Sequence, residues 1–175
     1  MPTVTPRVLH PVLGDPVPIP ADTLVHLQFR RFAGCPICHL HLRQVVVRHA
    51  EITAAGISEV VVFHSTTAEL APYAPDLPFP LIADPTKHLY REFGVGTSRR
   101  ALAPAAWPAI ARGALPILAA RQPAPPRTVT GGRLGLPADF LITPDGHLAA
   151  THHGAHADDQ WTVDELLALA AEVSL

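Results

Sequence analysis

Between Leu24 and Arg30 the side chains alternate, Val25, Leu27 and Phe29 against Leu24, His26, Gln28 and Arg30, which is the period-two pattern of a strand. From Pro36 to about Ala54 the period becomes helical. Cys38, Leu42, Val45, Val46, His49 and Ile52 form an apolar stripe, His41, Gln44, Arg48 and Glu51 form a wet face, and Gly56 ends the element. Glu59-Val60-Val61-Val62-Phe63 is a short apolar run, as expected of a strand buried on both faces. Another short strand is predicted at Pro80–Ala83. Asp84 then reads as a helix N-cap with Pro85 at the first helical position, Leu89, Tyr90 and Phe93 as the apolar face and Gly94 as the stop. Asp139–Thr143 and His147–Thr151, joined by Pro144-Asp145-Gly146, predict a β-hairpin. Thr162-Val163-Asp164-Glu165 is a capping box for a last helix with Val163, Leu166, Leu167, Ala170 and Val173 inward.

Two stretches lie outside this rhythm. Residues 1–22 carry Pro11, Pro16, Pro18 and Pro20 and read as an extended leader without a helix. Residues 96–135 are rich in Ala and Pro and contain Arg99, Arg100, Arg112, Arg121, Arg127 and Arg133 with no Asp or Glu. Trp107, Ile110, Leu115 and Leu118 could dock short helical pieces of this segment. A stretch this long between core elements is a lid, a binding loop or a disordered insert, and as a basic lid it would draw anionic substrates toward whatever it covers.

A chain of 175 residues suits a single domain spanning 1–175, and 48% apolar with 16% charged residues marks it as folded. A net charge of −2 argues against a general nucleic-acid binder. No apolar run nears the roughly 20 residues of a membrane span, and the first residues lack the basic-then-apolar order of a signal peptide. A cytoplasmic location is the expectation, because two cysteines in one short-spaced pair are not a secreted disulfide framework.

Those two cysteines are Cys35-Pro36-Ile37-Cys38, placed where the strand gives way to the helix. A thiol at a helix start faces unpaired N–H groups and the positive end of the macrodipole, which favour thiolate. The pattern puts Cys35 at an exposed helix tip and Cys38, one turn on, toward the buried side, which suits an attacking and a resolving thiol. Of Arg30 and Arg31, neighbours that point to opposite strand faces, one can reach the thiols, and Arg31 lies nearer the loop. Other chemistry shares these residues. Cys35-Pro36-Ile37-Cys38-His39 is formally the c-type haem string, though no signal peptide precedes it and Met1 is the only methionine. His39, His41, His152, His153 and His156 could complete a zinc site, although the helix turns His41 away from Cys38.

The stretches Phe29–Arg43, Leu81–Val95, Leu136–Leu148 and the histidine-rich turn with its closing helix resemble the thioredoxin-fold superfamily, and within it the peroxiredoxin-like alkyl hydroperoxide reductase and thiol-specific antioxidant group. The resemblance implies an α/β thioredoxin-like sandwich, a central mixed sheet flanked by helices, with residues 96–135 inserted before the last hairpin. It implies that Cys35 attacks a peroxide or disulfide, that Cys38 resolves the product, and that Pro137 is the cis proline whose loop holds substrate; Arg31, from its position near the dithiol loop, is the candidate to lower the Cys35 pKa or orient an oxidised substrate. It implies a thioredoxin-like or other thiol reductant, no bound cofactor or metal, and a homodimer as one allowed assembly. The chain departs from the family pattern at Gln28, where a proline is usual, and at Phe32, where Thr or Ser is usual. It also has Pro137 near where an arginine is usual. A dithiol–disulfide reductase therefore stays beside the peroxidase reading, as do a metal-binding protein and a non-catalytic thioredoxin-like module.

Overall fold

The computed structural model describes residues 2–108, 111–112 and 128–173. In chain order the strands are β1 (Arg7–Leu9), β2 (Val17–Ile19), β3 (Leu24–Arg30), β4 (Ile57–Phe63), β5 (Leu81–Ala83), β6 (Ala138–Ile142) and β7 (Leu148–His153). The helices are α1 (Pro36–Val47), α2 (His49–Ala54), α3 (Thr67–Leu70), α4 (His88–Glu92) and α5 (Val163–Val173). The main sheet has five strands in the order β5-β4-β3-β6-β7. β3 and β5 run parallel to β4, while β6 runs antiparallel to β3 and β7. This is the central mixed sheet flanked by helices that the resemblance implies.

Strand alternation divides the core between the two faces of the sheet. On one face Val25, Leu27, Phe29, Val60, Val62, Phe140 and Ile142 pack with Leu89 and Tyr90 of α4 and with Leu9 and Ile19 of the leader. On the other, Val61, Phe63, Leu81 and Leu141 pack beneath Ile37, Leu42 and Val45 of α1 and Val163, Leu166 and Ala170 of α5. The leader is extended, as its prolines require, and folds into the β1–β2 hairpin. It touches both ends of the sheet through bridges from Pro11 to Ile82 and from Thr3 to His147.

Two elements differ from the sequence pattern. The single helix over 36–54 breaks at Arg48 (φ −103°, ψ 13°), whose guanidinium bonds Glu51 and, at 2.5 Å, Asp164 of α5. Asp84 does cap a helix, accepting from the backbone N–H groups of His88 and Leu89 at 2.9 and 2.8 Å. That helix begins at His88 rather than Pro85, because a turn closed at left-handed Lys87 (φ 56°) intervenes.

The polar side of β3 is not wet. All seven of its residues are buried, and His26, Gln28 and Arg30 lie under α1 among ionic partners. His26 Nε2 is 3.1 Å from Asp139 Oδ1 on β6, and its Nδ1 is 2.9 Å from Glu59 Oε2 on β4. Gln28 donates to Glu59, and Arg30 donates to Asp139 at 2.6 Å. Burial alone would depress the His26 pKa, but the two carboxylates outweigh it and raise the value to about 9. A raised value in the folded state means stability fully present below the unfolded pKa of about 6.5 and lost as pH climbs toward 9. The His26 C2–H resonance should accordingly hold its imidazolium position up to about pH 9. Over the same window the urea midpoint of the parent should fall relative to that of His26→Gln, and a His26 titrating near 6.5 would contradict the arrangement.

Candidate active site

β3 delivers the chain to the site and α1 receives it. Residues 31–35 turn between them, with Gly34 in the left-handed region (φ 76°) and the Ala33 N–H bonded to Ser65 Oγ at 2.9 Å. Cys35 is the N-cap of α1 and Pro36 opens the helix, so no side chain caps the first turn and its N–H groups face the sulfur. Cys38 follows one turn later, and both thiols are free.

Arg31 turns toward the dithiol. Its Nη1 lies 3.8 Å from Cys35 Sγ, its backbone N–H points at Cys38 Sγ at 3.5 Å, and its Nη2 donates to the Arg133 carbonyl. Arg30 turns the other way, under α1. The two thiols are electrostatically unequal. Burial pushes Cys35 up, but the Cys38 thiol, the Arg31 guanidinium and the N–H groups of Cys38 and Ile37 bring it down to about 7. Burial and the neighbouring Cys35 push Cys38 well above its ordinary value.

Several placements differ from the sequence reading. Cys35 is not at an exposed tip: it is 2% exposed, like Cys38. Phe32, buried beside it, lies under the guanidinium groups of Arg31 (5.3 Å) and Arg133 (5.4 Å). His41 is not on the wet face of α1; it is buried, with Arg30 Nη2 3.0 Å from its Nε2. Pro137 is buried where β6 begins, and its peptide bond is trans, since the cis bond among the described residues is Ile19–Pro20. Its carbonyl accepts from the Gly154 N–H at 2.9 Å, and any Cβ on Gly154 would stand 2.8 Å from Pro137 Cγ. Gly154, just past β7, therefore presses directly on this proline.

The C-terminal histidines do not converge. His152 pairs with Asp159 at 3.0 Å, and His153 reaches the Phe93 carbonyl at 3.1 Å. No three His, Cys, Asp or Glu side chains come together to hold a metal among the described residues.

Part of segment 96–135 docks at the dithiol end by its backbone. His64 Nδ1 is 3.0 Å from the Thr130 carbonyl, Lys87 Nζ donates to Gly131 at 2.6 Å, Arg31 takes the Arg133 carbonyl, and Glu69 accepts from the Thr130 hydroxyl at 3.1 Å. Gly131 is left-handed (φ 76°), and a Cβ there would meet His64 at 2.7 Å. Of the other arginines, Arg99 is exposed and Arg112 lies 4.0 Å from Asp158. Arg121, Arg127, Ile110, Leu115, Leu118 and the Arg100 side chain lie outside the described residues, and Trp107 is exposed.

Sequence reasoning missed three residues that shape the site. His64 and Ser65 follow β4, and the parallel register that sets Arg30 beside Phe63 carries them to the dithiol loop. Tyr90 donates its hydroxyl to the Arg30 and Val62 carbonyls, tying β3 to β4 below the thiols. A small, mostly apolar cavity of about 50 Å³ opens beside both sulfurs, walled by Leu42, Phe63, Leu70 and Leu77 and edged by His39 and Arg43.

Known structures share this frame. Peroxidoxin BcpB from Mycobacterium tuberculosis superposes with a TM-score of 0.70 at 17% identity, covering 98% of this chain and 96% of that one. The reduced 2-Cys peroxiredoxin of Plasmodium vivax gives 0.70 at 12% identity, covering 98% and 80%. A cysteine mutant of peroxiredoxin 6 from Arenicola marina gives 0.65 at 17%, covering 88% and 62%. No curated protein matches the sequence. The model of the AhpC/TSA antioxidant enzyme family matches residues 44–156, the body of the sheet downstream of the dithiol. A mixed sheet of this order and a family match over most of its length lead to one assignment: the chain belongs to the AhpC/TSA antioxidant enzymes, thiol peroxidases built on the thioredoxin fold.

Proposed function

We propose that the chain reduces peroxides with Cys35 as the attacking thiol and Cys38 as the resolving one. The observation that carries this reading is the Arg31 guanidinium 3.8 Å from Cys35 Sγ, at the start of a helix whose first N–H groups face the same sulfur. A thiol brought to about 7 is substantially thiolate at neutral pH, which a non-catalytic module does not need. The Cys35 thiolate attacks one peroxide oxygen, the O–O bond breaks, and the departing alkoxide or hydroxide takes a proton. Sulfur is oxidised to the sulfenic acid and the peroxide is reduced to alcohol or water. Cys38 then forms the disulfide and releases water, and an external thiol, thioredoxin-like or smaller, restores the dithiol.

Burial favours a peroxide over a protein disulfide as the oxidant, since Cys35 is 2% exposed and the cavity beside it holds about 50 Å³. That volume is of the order of one or two water molecules, enough for a hydroperoxyl head. With Phe32 in place of a hydroxyl residue, we assign the polarising of the O–O bond to Arg31, 3.8 Å from Cys35 Sγ, with Arg43 at the cavity edge as a second cation. Pro137, held by Gly154, does not line that cavity. Among the described residues no helix is long and apolar enough to cross a membrane, and one short-spaced cysteine pair in place of a disulfide framework fits a reducing cytoplasm.

Two measurements test the roles. Alkylation at limiting reagent should label Cys35 before Cys38, with a pH midpoint near 7. Arg31→Leu should move that midpoint upward, toward the roughly 8.5 of a free thiol; an unmoved midpoint would show that Arg31 does not hold the thiolate. Cys38→Ser should react with one equivalent of peroxide and then stall with sulfenic acid on Cys35, read by mass spectrometry. Turnover at the parent rate would mean that resolution comes from another thiol.

A further inference from the structure

The mechanism above leaves the buried polar side chain of the dithiol helix, His41, unused. His41 lies one turn beyond Cys38, on the same face of α1, and is enclosed by the sheet. Its partner is Arg30, whose Nη2 also meets Asp139 Oδ1 and Gln28 Oε1, each at 2.6 Å. A guanidinium carries donors only, and the two hydrogens of Nη2 are shared among three acceptors, so His41 Nε2, at 3.0 Å the longest of the three, accepts a bifurcated bond through its lone pair, which places the ring proton on Nδ1. Burial and the adjacent Arg30 charge both press the ring toward this neutral form. The other buried residues of α1, Ile37, Leu42 and Val45, make non-directional apolar contacts that tolerate small rotations of the helix. The His41–Arg30 bond does not. Residue 31, next along the strand, meets Cys38 Sγ through its backbone N–H at 3.5 Å, so consecutive residues of one strand end hold the same helical turn at two points.

We infer that His41 is a positioning residue for the resolving step: through Arg30 it keeps the first turns of α1 seated, so that Cys38 Sγ meets Cys35 as soon as Cys35 is oxidised. The inference rests on the roles assigned above to Cys35 and Cys38. After the first step the Cys35 sulfenic acid has two fates. Attack by Cys38 forms the S–S bond, breaks the S–O bond and releases water with the Cys38 proton. Attack on a second peroxide oxidises the same sulfur to sulfinic acid and reduces that peroxide to alcohol or water. A turn free to rock lowers the first rate and leaves the second unchanged, so His41 sets the partition between them.

The test compares the full-length parent with His41→Leu, which removes the acceptor, and His41→Gln, whose amide oxygen can replace it. Each reduced protein is mixed rapidly with hydrogen peroxide, and disulfide and sulfinic products are counted by mass spectrometry. His41→Leu should form the disulfide about tenfold more slowly, the scale of one lost buried hydrogen bond, and yield proportionately more sulfinic acid; His41→Gln should restore the parent partition. A leucine variant that partitions like the parent, or a glutamine variant that behaves like leucine, overturns the inference while leaving the dithiol mechanism intact. A parent that never forms the Cys35–Cys38 disulfide sinks both. Should the leucine variant not fold, ¹⁵N-histidine spectra of the parent decide: neutral His41 protonated at Nδ1 supports the latch, and protonation at Nε2 overturns it.

Discussion

The bond between Arg30 and Asp139 joins the two central strands beneath the dithiol helix, and both partners are fully buried. A buried ion pair is weak evidence of net stabilisation, because taking both charges from water costs about as much as their attraction returns. Removing either partner is another matter, since the remaining charge would be stranded in the core. The pair therefore acts as a constraint. Once Arg30 is inside, the sheet must supply Asp139, Gln28 must turn its oxygen inward, and α1 must offer an acceptor rather than an apolar side chain. His26 and Glu59 extend the same requirement to β4, and the Trp161 N–H closes it by donating to Asp139 Oδ2 at 3.2 Å. Asp139 is held well below the usual carboxylate range: burial opposes this, but Arg30 and His26 overcome it.

This constraint also separates the tasks of two adjacent arginines. Arg30 ends β3 with its side chain under the helix, and Arg31, past the last ladder pair, can reach the sulfurs. Tyr90 fixes the hinge between them by binding the Arg30 carbonyl. The thiolate and the core charge cluster thus share one stretch of backbone, and the order of the site is inherited from the order of the core.

Much of this was legible in the sequence. Alternation in Val25, Leu27 and Phe29, the capping box at Thr162 and the Asp145-Gly146 turn specify elements by local rules, and the dithiol falls at the strand–helix junction where the pattern puts it. What stayed hidden depends on partners remote in the chain. Cys35 is buried, and its neighbour Phe32 lies under Arg133 from a segment returning a hundred residues later, which no local pattern reports. His41 sits at the spacing of a core position, between Cys38 and Leu42, but its polarity matches a solvent face until Arg30 is known to lie opposite. The close approach of Gly154 to Pro137 is again a tertiary fact.

The docking of residues 130–133 has a consequence for how this surface can change. His64, Lys87 and Arg31 all grip main-chain carbonyls, an atom type that every amino acid carries. Mutation can thus replace the side chains at Thr130 and Arg133 without erasing the acceptors, whereas Gly131 is fixed by its left-handed backbone and the ring of His64. The docked stretch can therefore vary in side-chain charge and shape while its backbone keeps the same path beside Arg31.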